Sequence, residues 1–383
     1  MGNIIDYVKT EMRTFSEKPF CAVDSLVLSQ VSYFKMNGLV PDLYDDESFV
    51  PLRDLFRAEC FDQLFGKTFV PENNLNLLTA LASSPRFRNT ELNFFINEVD
   101  ADIEMQFSAV TFLLDDGSVY IAYRGTDGTM IGWKEDFNMA FTYPLPAQEA
   151  GLLYLNSVSG FIPADAIVRI GGHSKGGNIA VYAAMKCNPS LRKRIGEIYN
   201  HDGPGFTNEV LESDEYASIR DRIRKTLPQS SVFGMLLHQC ENFAVVESSG
   251  ISGFFQHIPF NWIVKDGDFR YVDKLKNSSL QAQEAINEWL AAQTPEQRKH
   301  FVDTIFGLLE STKVTNFNDI NDDWLKTSLK VLAAAKDLDP ETRKFVQNAI
   351  SSFVKISLKA WSPIHSKQPE SALPAEAGDA SSS

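Results

Sequence analysis

The run Gly171-Gly172-His173-Ser174-Lys175-Gly176-Gly177 constrains this chain more than any other feature. A β-branched stretch, 166–170, leads directly into it, and a helical pattern, 178–185, follows shortly after. A serine with glycine two residues before and two after, set between a strand and a helix, is a nucleophile elbow. The chain reverses so sharply there that the hydroxyl is presented to a base, and glycines let strand and helix close around the turn. A serine hydroxyl is a weak nucleophile on its own, so the pattern points to acyl transfer with a neighbouring general base. The Lys175 N–H, at the helix start, is placed to donate to a developing oxyanion.

Strands and helices alternate around the elbow, which predicts an open α/β sheet. Strands are expected over 92–99, 105–114 and 119–125, the last two forming a hairpin across the turn Asp115-Asp116-Gly117. Others are expected over 196–202, 219–227 and 242–247, with a helix over 149–158. Nearer the N-terminus, Val23, Leu26, Val27, Val31 and Phe34 recur at helical spacing until Gly38 and Pro41 end the pattern, and shorter helices are expected over 52–65 and 74–82. After 268 the strand signals fade and amphipathic helices take over. They include 279–293, a helix opening at Thr294-Pro295-Glu296, a third over 322–336, and one opening at Asp339-Pro340-Glu341. The segment 362–383 is rich in Ser, Pro, Ala and Glu and has almost nothing to bury, so it is expected to be disordered. The division is therefore 1–268 as the α/β domain, 269–361 as a helical extension, and 362–383 as a tail.

Composition excludes several function classes. With 383 residues, 44% of them hydrophobic, the chain can bury a large core. A net charge of −14 and the lack of a basic stretch interleaved with aromatics argue against nucleic-acid binding. No apolar run approaches the roughly 20 residues of a membrane span, and the start MGNIIDYVKTEMRTF has no apolar signal core, so a cytoplasmic location is expected. Cys21, Cys60, Cys187 and Cys240 are scattered without metal spacing and are expected to be buried and reduced. No metal or cofactor is implied.

A second run, Ala122-Tyr123-Arg124-Gly125-Thr126-Asp127, closes a predicted strand and is followed by GTMIGWKEDFNMAF with Trp133 and Asp136. This resembles class 3 lipases, which carry an aromatic-Arg-Gly-Thr/Ser run followed by a Trp and an Asp. Over most of residues 1–360 the chain is also similar to a bacterial domain-of-unknown-function family related to those lipases. The resemblance implies an α/β-hydrolase (lipase-like) central sheet flanked by helices, with a C-terminal helical extension. It also makes Thr126 the second oxyanion donor and the segment 128–141 a lid. Met130, Ile131, Trp133, Met139 and Phe141 would form the lid's apolar face, while Lys134, Glu135 and Asp136 would meet water.

α/β-Hydrolases run in the order serine, acid, histidine. Of six histidines, His173 lies in the elbow, His201 abuts a strand end, His300 is in the extension and His365 in the tail. His238 and His257 remain. His257 follows the last strand of the domain, where the fold delivers its base, whereas His238 sits in an apolar run that reads as helical. The resemblance places the acid after the strand 219–227, yet Pro228-Gln229-Ser230-Ser231-Val232 stands there. Asp202, ahead of Gly203-Pro204-Gly205, is the alternative at the end of the preceding strand; Glu247, Asp266 and a dyad without an acid stay open. The expected activity is that of a serine esterase cleaving a small-molecule or lipid ester, with transient contact to a membrane surface allowed and the oligomeric state undetermined. A hydrolase scaffold with a degraded triad acting as an interaction protein, or a thioesterase or amidase, is the alternative.

Overall fold

A run as apolar as Val119-Tyr120-Ile121-Ala122-Tyr123 belongs in the middle of a sheet covered on both faces, and all five residues are buried in the computed structural model. It describes residues 2–311 except 45–47, 239–241 and 251–252, together with Pro340. Strands β1 (Val50–Pro51), β2 (Glu91–Asp100), β3 (Met105–Leu113), β4 (Val119–Tyr123), β5 (Val168–His173), β6 (Ile195–His201), β7 (Ile223–Pro228) and β8 (Phe243–Val246) lie side by side in chain order, and Tyr271–Val272 adds an edge to β8. The first four pair antiparallel, β4 through β8 pair parallel, and the edge pair is antiparallel again. This is an α/β-hydrolase sheet flanked by helices. Its parallel half brings the C-terminal ends of β4, β5, β6 and β7 to one rim, the place where such sheets build their sites.

Side chains alternate across the sheet as the period of two requires. Tyr120 and Ala122 pack into one core with the helices Ala22–Val31 and Pro71–Ser83. Val119, Ile121 and Tyr123 pack into the other with the helices Pro146–Val158 and Lys175–Lys186. The β3–β4 hairpin turns at Gly117, whose φ of 76° is the left-handed conformation expected of the Asp-Gly turn.

Three expectations change. The stretch 52–65 is broken into 3-10 turns at Leu52–Leu55 and Ala58–Cys60 and a short helix Phe61–Phe65, because Phe56 and Arg57 take non-helical backbone angles. Gly171, Gly172 and His173 are still strand, so β5 runs straight into the elbow. The strand expected from 219 starts at Ile223 after a 3-10 turn at Arg220–Arg222. The extension is helical over Asn277–Ala291 and Pro295–Ser311, and Thr294 and Gln297 cap the second helix reciprocally at 2.8 and 3.3 Å. The helices expected over 322–336 and after Asp339, the tail, Cys240 and His365 fall outside the described residues. Cys60 and Cys187 are buried free thiols, while Cys21 is half-buried.

The helix Ala22–Val31 is stitched to the rim by polar contacts. His201 Nε2 lies 2.9 Å from Ser25 Oγ and its Nδ1 2.7 Å from Thr226 Oγ1. Burial lowers the pKa of this imidazole to about 3. An unfolded histidine titrates near 6.5, so between about pH 6.5 and 3 the unfolded chain binds a proton that the folded chain does not. Stability therefore falls as pH falls through that window, by about 1.4 kcal/mol per unit from this residue. His201→Gln is expected to flatten the stability curve by that slope between pH 6 and 4 in urea unfolding. An unchanged slope would mean that His201 charges inside the folded protein.

Candidate active site

Because β5 ends at His173 and the next helix begins at Lys175, the whole reversal falls on Ser174, with φ 59° and ψ −136°. This backbone is rare for a side-chain-bearing residue and costs roughly 1–3 kcal/mol, so its surroundings must enforce it. A Cβ on Gly176 would stand 2.1 Å from the Tyr123 carbonyl oxygen, and one on Gly172 would stand 2.3 Å from the Gly176 carbonyl carbon. Both glycines are required by close approach of the elbow to β4. The Ser174 N–H donates to the His201 carbonyl at 2.9 Å, which pins the turn to β6.

Asp202 is the first residue beyond β6, at φ 54°. Its carboxylate is 0% exposed and accepts from His257 Nδ1 at 2.6 Å, from the Ser231 hydroxyl, and from the Gly234 N–H at 3.2 Å. His257 ends the short helix Gly253–His257 beyond β8, rather than lying in an irregular loop. Its ring sits between Phe233 and His173, with centroids 4.4 and 4.3 Å away. The contacts define tautomers. A carboxylate can only accept here, so the proton of neutral His257 is on Nδ1 and Nε2 is a base. His173 Nε2 donates to the His257 carbonyl at 2.8 Å and its Nδ1 accepts from the Tyr33 hydroxyl at 3.2 Å. Burial holds His173 well below the ordinary imidazole range, so it stays neutral beside His257. Ser174, His257, Thr126, Trp133, Asp136 and Phe233 all line one crevice of about 100 Å³.

The segment expected to be a lid contains the helix Met130–Asn138, capped by Thr129, whose hydroxyl accepts from the Gly132 N–H at 3.2 Å. Its charged residues do not meet water as a face. Glu135 is 0% exposed and its carboxylate accepts from the Lys175 ammonium at 2.6 Å, the Gln106 N–H at 3.0 Å and the Ala147 N–H at 2.9 Å. Asp136 accepts from the Thr126 hydroxyl at 2.5 Å, and burial pushes its carboxyl up to about 6. Lys134 reaches Glu104 and Asp303 at 2.7 and 3.1 Å. The helix period places Glu135 and Asp136 about 100° apart, so one grips the elbow and the other the loop after β4.

Thr126, Ser174, Lys175, Asp202 and His257 thus gather on the parallel rim. The other candidates do not. His238 is not helical: it makes a backbone bridge to Phe206 beyond a left-handed Leu237. Glu247 pairs with Arg270 at 2.7 Å, and Asp266 sits in a turn beside Lys265 at 3.7 Å. Arg124 is an internal ion-pair partner of Asp127 at 3.2 Å. Sequence reasoning missed Glu135, Ser231 and Phe233. A lysine inside an elbow was the available signal for Glu135, since a buried ammonium demands a carboxylate. Among the described residues no group of three or more His, Cys, Asp or Glu is arranged to hold a metal ion, and no helix is long and apolar enough to cross a membrane.

Three solved structures are similar in part. A fungal lipase–inhibitor complex is 12% identical over 59% of this chain and 78% of that one, with a TM-score of 0.37. M37 lipase is 15% identical over 55% and 68%, at 0.34. Extracellular lipase LipA from Serratia marcescens is 12% identical over 77% and 53%, at 0.32. No curated protein matches the chain. The Mbeg1-like family matches residues 81–307, more than half of the sequence and the whole stretch from Thr126 through Ser174 and Asp202 to His257, and the chain belongs to that family.

Proposed function

We propose that this protein is a serine hydrolase that cleaves carboxylic esters with a lipid-like acyl part through an acyl-enzyme on Ser174. The observation that carries the reading is the 2.6 Å contact of His257 Nδ1 with the buried Asp202 carboxylate, in a crevice shared with a serine on a strained elbow. Asp202 fixes the imidazole tautomer and stabilises the imidazolium without taking the proton. His257 Nε2 removes the Ser174 proton as Oγ attacks the ester carbonyl carbon. The oxygen becomes an oxyanion, held by the N–H groups of Lys175 and Thr126; the Thr126 hydroxyl hydrogen is engaged by Asp136. Collapse breaks the bond to the alcohol, which leaves with the proton from His257. Water, deprotonated by the same nitrogen, then attacks the acyl-enzyme, and the acid departs as Ser174 recovers its proton.

The reading as a degraded scaffold rested on the missing acid after β7. The carboxylate that His257 engages from the end of β6 counts against that ground. Thioesters and amides would pass through the same acyl-enzyme, and competition among the three substrate classes for a serine-reactive probe separates them.

A fluorophosphonate is expected to label Ser174 and no other residue, with labelling abolished in Ser174→Ala and turnover lowered by about 10⁶. Equal labelling of the variant, read by mass spectrometry, would end the enzyme reading. Asp202→Asn should fold normally and lose about 10⁴ in kcat, because the amide can donate to Nδ1 and stabilise the wrong tautomer. Glu247→Gln should stay within a few-fold of the parent. Steady-state hydrolysis of p-nitrophenyl esters checks both, and a mild Asp202→Asn phenotype would reduce the site to a dyad.

A further inference from the structure

Two openings meet at Ser174. The first is the crevice of about 100 Å³, which His257 lines together with polar side chains such as Gln30, Tyr33 and Asn74. The second is a cavity of about 410 Å³ that reaches Ser174 and Lys175 but not His257. Its far wall comes from the helices beyond the sheet: Ile286 and Leu290 from Asn277–Ala291, and Val302 from Pro295–Ser311. Phe137, Phe233 and Leu236 close the near side. Apart from Arg298 and the polar groups at the Ser174 end, the lining is apolar.

The wall is built into the protein. Arg298 donates to the Ala140 carbonyl at 2.6 Å and the Leu290 carbonyl at 2.5 Å. Lys134 reaches Asp303 at 3.1 Å, and the Phe137 and Phe306 rings meet edge to face at 5.6 Å. Val302 and Phe306 are 3% and 2% exposed. The two helices are thereby fixed to the helix Met130–Asn138 over a space that leads to the nucleophile.

We infer that this cavity is a site for one linear aliphatic chain, the acyl part of the ester, and that the two C-terminal helices set the length it accepts. The inference rests on the acyl-enzyme reading for its orientation. A departing alcohol must collect its proton from His257, so it leaves through the opening that His257 lines, and the acyl chain takes the opening that reaches Ser174 without His257. A volume of about 410 Å³ lies within the usual range of small-molecule pockets, roughly 300–1,000 Å³. An acetyl group would leave most of it empty.

The test is calorimetric titration of full-length Ser174→Ala protein with linear fatty acids from butyrate to dodecanoate. Affinity is expected to rise by up to about fourfold per methylene, the value of burying one CH₂, until the cavity is full. Adding Leu290→Trp should bring the plateau to shorter chains, and adding Val302→Ala should move it to longer ones, so that one variant remains informative if the other does not fold. Affinity independent of chain length, or a plateau unmoved in both folded variants, overturns the inference. Ser174-dependent hydrolysis of p-nitrophenyl esters by the parent protein is the separate readout of the enzyme reading: its absence, with length-dependent binding retained, removes the acyl-enzyme and leaves the aliphatic-chain site standing.

Discussion

The Lys175 ammonium, 1% exposed beneath Ser174, is the constraint around which the site is organised. Taking a charge out of water costs several kcal/mol unless a partner and hydrogen bonds replace the solvent. Here Glu135 supplies the opposite charge at 2.6 Å and the Gln106 carbonyl adds a bond at 3.0 Å. Glu135 in turn takes N–H groups from Gln106 in β3 and Ala147 at the head of the next helix. One ion pair thus joins the elbow helix, a sheet strand and the two helices between β4 and β5. It also limits what a lid can do. Swinging the whole helix Met130–Asn138 outward would separate buried charges, at a cost of about 3–5 kcal/mol, whereas movement of its first turn, with Trp133 on Phe233, leaves the pair intact.

Glu135 and Asp136 divide the work along one helix. Glu135 holds Lys175, the residue after Ser174, and Asp136 holds Thr126 in the loop after β4. The two residues proposed as oxyanion donors lie on separate elements, Thr126 in the loop after β4 and Lys175 at the first position of the helix Lys175–Lys186. A helix gripping both by adjacent side chains sets the distance between them before any substrate arrives, which is what preorganised electrostatic stabilisation requires. Asp136 carries a cost for this position. One of its oxygens, 4.0 Å from the Lys175 ammonium, is buried without a hydrogen-bond partner, in keeping with a carboxyl whose pKa burial has raised to about 6.

Much of this was legible in the sequence because the signals were local. The elbow announces itself by two glycines whose Cβ atoms would strike Tyr123 and Gly176, and the Asp-Gly turn by the left-handed Gly117. The alternation of strands and helices followed from apolar runs separated by helical ones. Glu135 was read as solvent-facing because amphipathic patterning treats a charge as exposed, and only the fold reveals that a buried lysine awaits it. Phe56 and Arg57 broke a helix that periodicity favoured, since spacing alone does not register non-helical backbone angles. The apolar run around His238 failed for the same reason, at the left-handed Leu237.

The position of the proposed acid, Asp202, follows from the same local economy of hydrogen bonds. β6 and β7 are neighbouring parallel strands, with His201 in register with Thr226, so carboxylates at their two ends would lie roughly one strand spacing apart, near 4.8 Å. In this chain the loop after β7, where the lipase resemblance expects the acid, has serines, and Ser231 turns its hydroxyl to Asp202 while Gly234 adds an N–H. A fully buried carboxylate needs several donors to replace water, and His257 alone would leave one oxygen bare. The residues that occupy the expected acid's place therefore complete the shell of the carboxylate one strand away, so that the absent acid after β7 and the buried Asp202 after β6 are two sides of one arrangement.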